Sequence, residues 1–138
     1  FGAAAGLDGQ QRGALDGVVQ AAVDRMVELG ARPERITGVV GPCIGPRSYE
    51  VGLEFLHRFE ADSPGSGRFF SAGESDDKRL FDLPAFVLDR LDTAGVGRSE
   101  WVGRDTRAEP DLFFSNRRAF LAGESDYGRL LSAIALEA

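Results

Sequence analysis

Cysteine, histidine and lysine are scarce in this chain. Its 138 residues include one cysteine, Cys43, one histidine, His57, and one lysine, Lys78. A single cysteine cannot form an internal disulfide, so the composition is typical of a cytoplasmic protein rather than a secreted one.

Long hydrophobic runs and a basic excess are also missing. No apolar run approaches the roughly 18–20 residues that a membrane span needs, and no basic stretch followed by an apolar one marks a signal peptide. Acidic residues number 22 against 16 basic ones, a net charge of −6. We therefore expect neither a membrane nor a nucleic acid as partner.

The chain has enough length and apolar content for one globular domain. Apolar residues make up 43% and charged residues 28% of the sequence, which is ordinary for a soluble protein. At this size about two thirds of the unfolded surface can be buried. We expect a single domain over residues 1–138.

Apolar periodicity predicts three helices and several short strands. Residues spaced three and four apart favour helices at 14–29, 51–59 and 83–94. Short β-branched or apolar runs favour strands at 36–40 and 100–102, and further apolar runs fit buried strands at 113–115 and 130–136, the last of which could equally be helical. Phe69 and Phe70 are a further strand start, and residues 71–79 and 103–111 read as polar loops. This alternation predicts an α/β fold.

The cysteine stands in a loop that cannot adopt regular structure. Residues 41–46 read Gly-Pro-Cys-Ile-Gly-Pro, and two prolines with two glycines break helix and strand alike. Arg47 could favour a reactive thiolate at Cys43, whereas a small buried hydrophobic side chain is the simpler interpretation.

The other candidates are a histidine and an arginine pair. His57 shares a predicted helix face with Glu60; it fits a surface residue, or a metal ligand beside Cys43 if a carboxylate such as Asp8 or Glu60 completes the site. Arg117 and Arg118 could present guanidinium groups to a phosphate, or end a strand in solvent.

Several ordered blocks resemble one known family, the YfiH or laccase-domain proteins. They span almost the whole chain and are Arg12-Gly13, residues 41–46, Tyr49-Glu50-Val51-Gly52, Asp82-Leu83, Gly95-Val96, residues 113–118 and Gly128-Arg129. Known members are longer, so the resemblance also implies that the family's N-terminal part is absent here.

The resemblance implies a layered α/β sandwich with a mixed sheet, similar to the catalytic domain of a deamidating toxin. It implies phosphorolysis of purine nucleosides such as adenosine and inosine, with adenosine deamination as a further activity; the family is also described as polyphenol oxidase. Its substrates would be a purine nucleoside and phosphate. The oligomeric state is left open, with a homodimer as one alternative. Arg12, Arg47, Tyr49, Arg117 and Arg118 are the substrate and phosphate candidates.

The resemblance also implies a zinc or copper site with one cysteine and two histidine ligands. It places the cysteine at Cys43 and the histidines at Asp8 and Glu60, where this chain has carboxylates. His57 lies one helical turn before Glu60, about 5.4 Å away along the axis. Where the family has a Cys-Thr pair before the Phe-Phe-Ser block, this chain has Asp105-Thr106.

Three interpretations therefore remain open. In the first, Cys43, Asp8 and Glu60, or His57 in place of Glu60, form the metal centre of a nucleoside enzyme. In the second, the lost histidines mark a non-catalytic homologue that serves as a binding or assembly scaffold. In the third, Cys43 is a metal-free nucleophile and His57 its base.

Overall fold

The computed structural model describes residues 17–135. The elements in chain order are α1 (Val18–Glu28), β1 (Thr37–Val40), β2 (Glu50–Gly52), α2 (Leu53–Asp62), β3 (Phe70–Ala72), β4 (Lys78–Phe81), α3 (Leu83–Thr93), β5 (Arg98–Trp101) and α4 (Asn116–Leu121). Short 3-10 turns occupy Pro33–Arg35 and Ser66–Phe69. No helix in this part of the chain is long and apolar enough to cross a membrane.

The strands form two sheets. β1 and β5 pair in parallel, with Thr37 opposite Arg98 and Val40 opposite Trp101. The second sheet is antiparallel in the order β2-β4-β3. The α/β class and the combination of parallel and antiparallel strands are thus confirmed.

Helix α3 begins where a local signal in the sequence places it. α3 starts after Asp82, whose side chain accepts a hydrogen bond from the Ala85 backbone N–H at 2.9 Å, as an N-cap residue does. This helix packs on β1 and β5, and Leu91 approaches Gly38 so closely that a Cβ atom there would lie 3.0 Å from its methyl carbons. Of the predicted helix 14–29, residues 14–16 lie outside the described residues.

A cluster of aromatic rings joins α2 and α3 to the antiparallel sheet. Phe59 and Phe81 are fully buried at its centre, with ring centroids 4.9 Å apart. Phe55 stacks on Phe59 at 4.6 Å, and Phe86 meets it edge-on at 5.3 Å. Aromatic pairs in these arrangements add stability beyond the area that they bury.

Several sequence predictions were wrong. The predicted helix 51–59 begins only at Leu53, because residues 50–52 pair with β4. Residues 71–79, predicted as loop, contribute the strand pairing of β3 and the start of β4. Residues 113–115 form no strand, since Ser115 instead caps α4 by accepting from the Arg118 N–H.

The C-terminal run is also different from its prediction. Residues 130–135 form neither a strand nor a helix, and position 136 lies outside the described residues. Leu131 is 86% exposed and Ile134 68%. These two apolar side chains are therefore not buried by the described part of the chain.

Candidate functional site

Two loops leave the same edge of the parallel sheet and stay together. Residues 41–49 follow β1 and residues 102–115 follow β5. The pairing continues into the loops, because the Cys43 N–H donates to Arg104 O at 3.3 Å and the Thr106 N–H donates to Cys43 O at 2.9 Å. The carboxyl edge of parallel strands is where α/β folds usually bind their ligands.

Asp105 fastens one loop to the other. Its carboxylate accepts from the Ser48 hydroxyl at 2.6 Å and from the backbone N–H of Arg107 at 2.9 Å and of Ala108 at 3.2 Å. Partial burial acts to raise the pKa of Asp105, but these hydrogen bonds and one from the Gly45 backbone outweigh it and hold the pKa below its usual value.

Gly45 has no side chain because the Asp105 carboxylate occupies that space. A Cβ atom at Gly45 would lie 2.5 Å from Asp105 Oδ2, closer than nonbonded atoms approach without displacement. The glycine of the Gly-Pro-Cys-Ile-Gly-Pro loop is thus required by a contact with a residue 60 positions away. The contact makes the two loops one rigid unit.

Cys43 carries a thiol that resists ionisation. Burial is the largest of the influences that raise the pKa of Cys43 to about 12, and the negative charges of Asp105 and Asp82 act in the same direction. The neighbouring Trp101 side chain acts against this but is the weakest influence. A thiolate is the form that attacks electrophiles and binds metals, so the surroundings of Cys43 favour the inert thiol.

Glu60 is committed to a turn rather than to the cysteine. Its carboxylate accepts from the backbone N–H of Gly65 at 2.8 Å and of Gly67 at 2.6 Å, and these bonds lower the pKa of Glu60. His57 is exposed on α2. In residues 17–135 no interaction joins either side chain to Cys43.

The described residues do not fit the metal centre that the resemblance implies. Across positions 17–135 no three His, Cys, Asp or Glu side chains stand together as metal ligands would. Of the expected set, Asp8 lies outside the described residues, Glu60 is bound to a turn, and no interaction among positions 17–135 joins Cys43 to Glu60 or His57. The zinc or copper site stays a prediction, and no chemical step is derived through it below.

Arg118 has a structural function. Its guanidinium group donates to three backbone carbonyls, at 2.8 Å to Thr106, 3.1 Å to Arg107 and 2.6 Å to Phe113. These carbonyls belong to the loop after β5. The side chain therefore holds that loop in shape, and most of its donors are not free for a ligand.

Arg107 and Arg117 reach the chain on either side of Tyr49. Arg107 Nη1 donates to Ser48 O at 3.0 Å, and Arg117 Nη1 donates to Glu50 O at 2.6 Å. The Arg117 guanidinium also lies over the Tyr49 ring, 5.3 Å from its centroid. Neither arginine forms an ion pair with any carboxylate of the described chain.

The remaining substrate candidates, Tyr49, Arg47 and Arg12, do not share one environment. Tyr49 is 1% exposed and packs against Phe55 and Phe81; within residues 17–135 its hydroxyl has no hydrogen-bond partner. Arg47 is exposed. Arg12 lies outside the described residues.

A groove in the described surface lies away from these loops. It has a volume of about 500 Å³ and runs between α2 and the strands β3 and β4. Its lining is Leu56, Gly67, Phe70, Ser71, Ala72, Gly73, Glu74, Ser75, Asp76 and Arg79. None of these belongs to the predicted site.

The loops after β1 (residues 41–49) and after β5 (residues 102–115) together form what we call the loop junction. The sequence analysis did not identify two of its residues as functional candidates. Asp105 was noted only as a departure from the family block, and Arg107 was not singled out. A carboxylate directly after a strand, with an arginine two residues later, is the signal that could have found them.

The chain is thus an α/β protein with a loop site at the carboxyl ends of two parallel strands, and comparison identifies its family. Residues 5–137 match the family described as multi-copper polyphenol oxidoreductase laccase. The chain belongs to this family, which confirms the resemblance seen in the sequence.

Similar proteins carry the name purine nucleoside phosphorylase. One from Rickettsia prowazekii is 30% identical over 126 residues, which cover 91% of this chain and 52% of that protein. One from Deinococcus radiodurans is 38% identical over 125 residues, 91% of this chain and 46% of that protein. The chain therefore spans about half the length of these curated relatives.

A solved structure agrees with the fold. The crystal structure of Neisseria meningitidis protein NMB0706 superposes with a TM-score of 0.67 at 30% sequence identity, covering 78% of this chain and 43% of that one. No contact or comparison bears on the homodimer or on the single-domain prediction, which stay predictions.

Proposed function

We propose that the protein to which this chain belongs cleaves purine nucleosides by phosphorolysis. One observation carries the proposal: relatives named purine nucleoside phosphorylase are 30% to 38% identical to nine tenths of this chain. Because the chain spans only half of those relatives, the activity is proposed for the protein rather than read from the described residues.

The reaction sets clear demands on a site. An oxygen of orthophosphate bonds to C1′ of the ribose, the bond from C1′ to the purine nitrogen breaks, and its electron pair leaves with the base. The base takes up a proton, so the products are ribose 1-phosphate and free purine. A binding site must therefore hold a phosphate dianion close to the sugar and keep both in place.

The loop junction offers the positive charge that a phosphate requires. Arg107 and Arg117 stand beside the loop after β1 without carboxylate partners, in a chain whose net charge is −6. Asp105 and Arg118 hold the loop after β5 in shape through five hydrogen bonds to its own backbone groups, and the Ser48 hydroxyl ties the loop after β1 to Asp105. Rigid support of this kind is what a binding site needs to hold its ligand in one geometry.

We assign no bond-forming step to Cys43. With a pKa of about 12, roughly one thiol in 10⁵ is ionised at pH 7, too little for an effective nucleophile. Within the described part of the chain, His57 has no interaction with Cys43 that would make it the base of such a pair. Adenosine deamination and polyphenol oxidation remain secondary proposals from the family resemblance.

The test is the release of hypoxanthine from inosine by the purified protein, followed by chromatography with and without orthophosphate. We expect release that requires phosphate. Cys43→Ala then tests the role of the thiol: release that persists would exclude a ligand or nucleophile role for Cys43, and loss of release would support one.

A negative result would also be informative. If the folded protein, supplied with zinc, releases no base from inosine or adenosine, phosphorolysis is wrong for these substrates. The non-catalytic scaffold would then be the better account. The turn that binds the Glu60 carboxylate is the observation that favours it.

A further inference from the structure

The backbone carbonyls of Ser48 and Glu50, on either side of Tyr49, hold two arginine side chains at one edge of the antiparallel sheet. Among residues 17–135, β2 is an edge strand, since β4 is the one strand there that pairs with it. The Tyr49 carbonyl accepts from the Phe81 N–H at 2.9 Å on the β4 side. The carbonyls of Ser48 and Glu50 are left for the side chains of Arg107 and Arg117.

This arrangement holds two positive charges close together. The two carbonyls are two residues apart, a span of at most about 7 Å of chain. Arg107 Nη1 lies 3.0 Å from Ser48 O, and Arg117 Nη1 lies 2.6 Å from Glu50 O. The two guanidinium groups are therefore neighbours, and the groups that accept their hydrogen bonds are backbone carbonyls rather than side chains.

The charge of this pair is not balanced within the described chain. Neither guanidinium forms an ion pair there. The nearby Glu50 carboxylate instead accepts from the Glu74 backbone N–H at 3.0 Å. Burial lowers the pKa of Arg117, and the positive charge of Arg107 lowers it as well, against the opposing influence of Tyr49 and Glu50.

An oxyanion would complete the arrangement. A guanidinium group has five N–H donors, and the backbone carbonyl takes one from each arginine here. Guanidinium forks match the oxygens of phosphate in geometry and charge. A tetrahedral anion also has enough oxygens to accept from two forks that approach at different angles.

We propose that Arg107 and Arg117 together form a binding site for a phosphoryl group at the open edge of β2. The identification of the occupant as a phosphoryl group rests on the proposed function. Orthophosphate and the 5′-phosphate of a purine nucleotide share this chemistry, and the experiment separates them.

The test is isothermal titration calorimetry of the purified protein at constant ionic strength. The titrants are orthophosphate, inosine and inosine 5′-monophosphate. We expect orthophosphate or the nucleotide to bind, and Arg107→Gln and Arg117→Gln each to weaken that binding at least tenfold. Arg98→Gln is the matched control, because Arg98 is an exposed arginine paired with Glu100 on β5 and its loss should leave affinity unchanged.

The outcomes are decisive for the site. Binding of the nucleotide but not of orthophosphate or inosine would assign the site to a nucleotide phosphate. Absence of binding by both phosphates, equal affinity in Arg107→Gln, or equal weakening in Arg98→Gln would overturn the proposal. If Arg117→Gln does not fold, Arg107→Gln decides alone.

The result is separable from the proposed function. Orthophosphate binding that needs Arg107, in a protein that does not cleave nucleosides, would keep the site and remove the phosphorylase assignment. Phosphate-dependent cleavage that is unaffected by Arg107→Gln would keep the phosphorylase and remove the site.

Discussion

The thiol of Cys43 should be almost unreactive at neutral pH. Its pKa is raised from 9.0 to about 12 by burial and by the charges of Asp105 and Asp82. At pH 8 this lowers the thiolate fraction about a thousandfold relative to an ordinary cysteine, and the alkylation rate should fall by a similar factor. The same shift argues against a thiol nucleophile.

The assay is iodoacetamide labelling followed by mass spectrometry between pH 7 and pH 10.5. The rate should rise about tenfold per pH unit without a plateau, because the folded thiol remains mostly protonated over this range. The same protein unfolded in urea is the reference for an ordinary thiol. Asp105→Asn removes a negative charge beside Cys43, so it should lower the pKa and speed labelling.

The shift has a consequence for stability. The folded thiol keeps its proton up to about pH 12, while the unfolded thiol loses it near pH 9. The folded state therefore binds more protons between these values, and its stability falls as the pH rises through this window. Three pKa units set an upper bound of about 4 kcal/mol on this loss.

Cys43→Ala isolates this contribution in urea unfolding at pH 8 and pH 11. Burial also raises the pKa of Tyr49, which therefore destabilises the fold at high pH in both proteins, so only the difference in slope belongs to the thiol. Labelling that levels off near pH 9, or equal rates in folded and unfolded protein, would refute the reasoning.

Substitutions at Phe59, Gly45 and Asp82, each with a control, test the packing that supports the site. Phe59→Ala, at a fully buried ring, should lower the free energy of unfolding by about 3–5 kcal/mol. The control Phe120→Ala, at a ring that is 68% exposed, should change it by about 0.5 kcal/mol or less. Denaturant titration measures both values. Gly45→Ala should destabilise the protein, and less so when combined with Asp105→Ala, since the clash is with that carboxylate; additive effects in this double-mutant cycle would contradict the contact. Asp82→Ala should cost about 1 kcal/mol through loss of the α3 cap, with Asp82→Asn close to wild type, and equal losses in the two variants would exclude the cap.

Helices were predictable where the information is local. α3 carries its own start signal in Asp82, which caps the helix, and its apolar spacing fixes the face that meets β1 and β5. The strand β4 was not predictable in this way. Its sequence Lys-Arg-Leu-Phe has weak alternation, and the strand exists because β2 and β3 pair with it on both sides.

In the candidate site, too, features set by the local sequence were predictable and contacts between distant parts of the chain were not. The Gly-Pro-Cys-Ile-Gly-Pro loop was visible as a rigid loop after a strand, and it is one. The partner that shapes it, Asp105, lies 62 residues after Cys43, and only the parallel pairing of β1 with β5 brings the two together. Arg117 and Arg118 both stay phosphate candidates, but the sequence did not show that three loop carbonyls accept from the Arg118 guanidinium.

The most direct test of the account is a phosphorus NMR time course of inosine and orthophosphate with the purified protein. The account predicts a growing ribose 1-phosphate signal, with one equivalent of hypoxanthine released for each equivalent formed. Hypoxanthine without a new phosphorus signal would show hydrolysis, and no change in either compound with folded protein would contradict phosphorolysis of inosine.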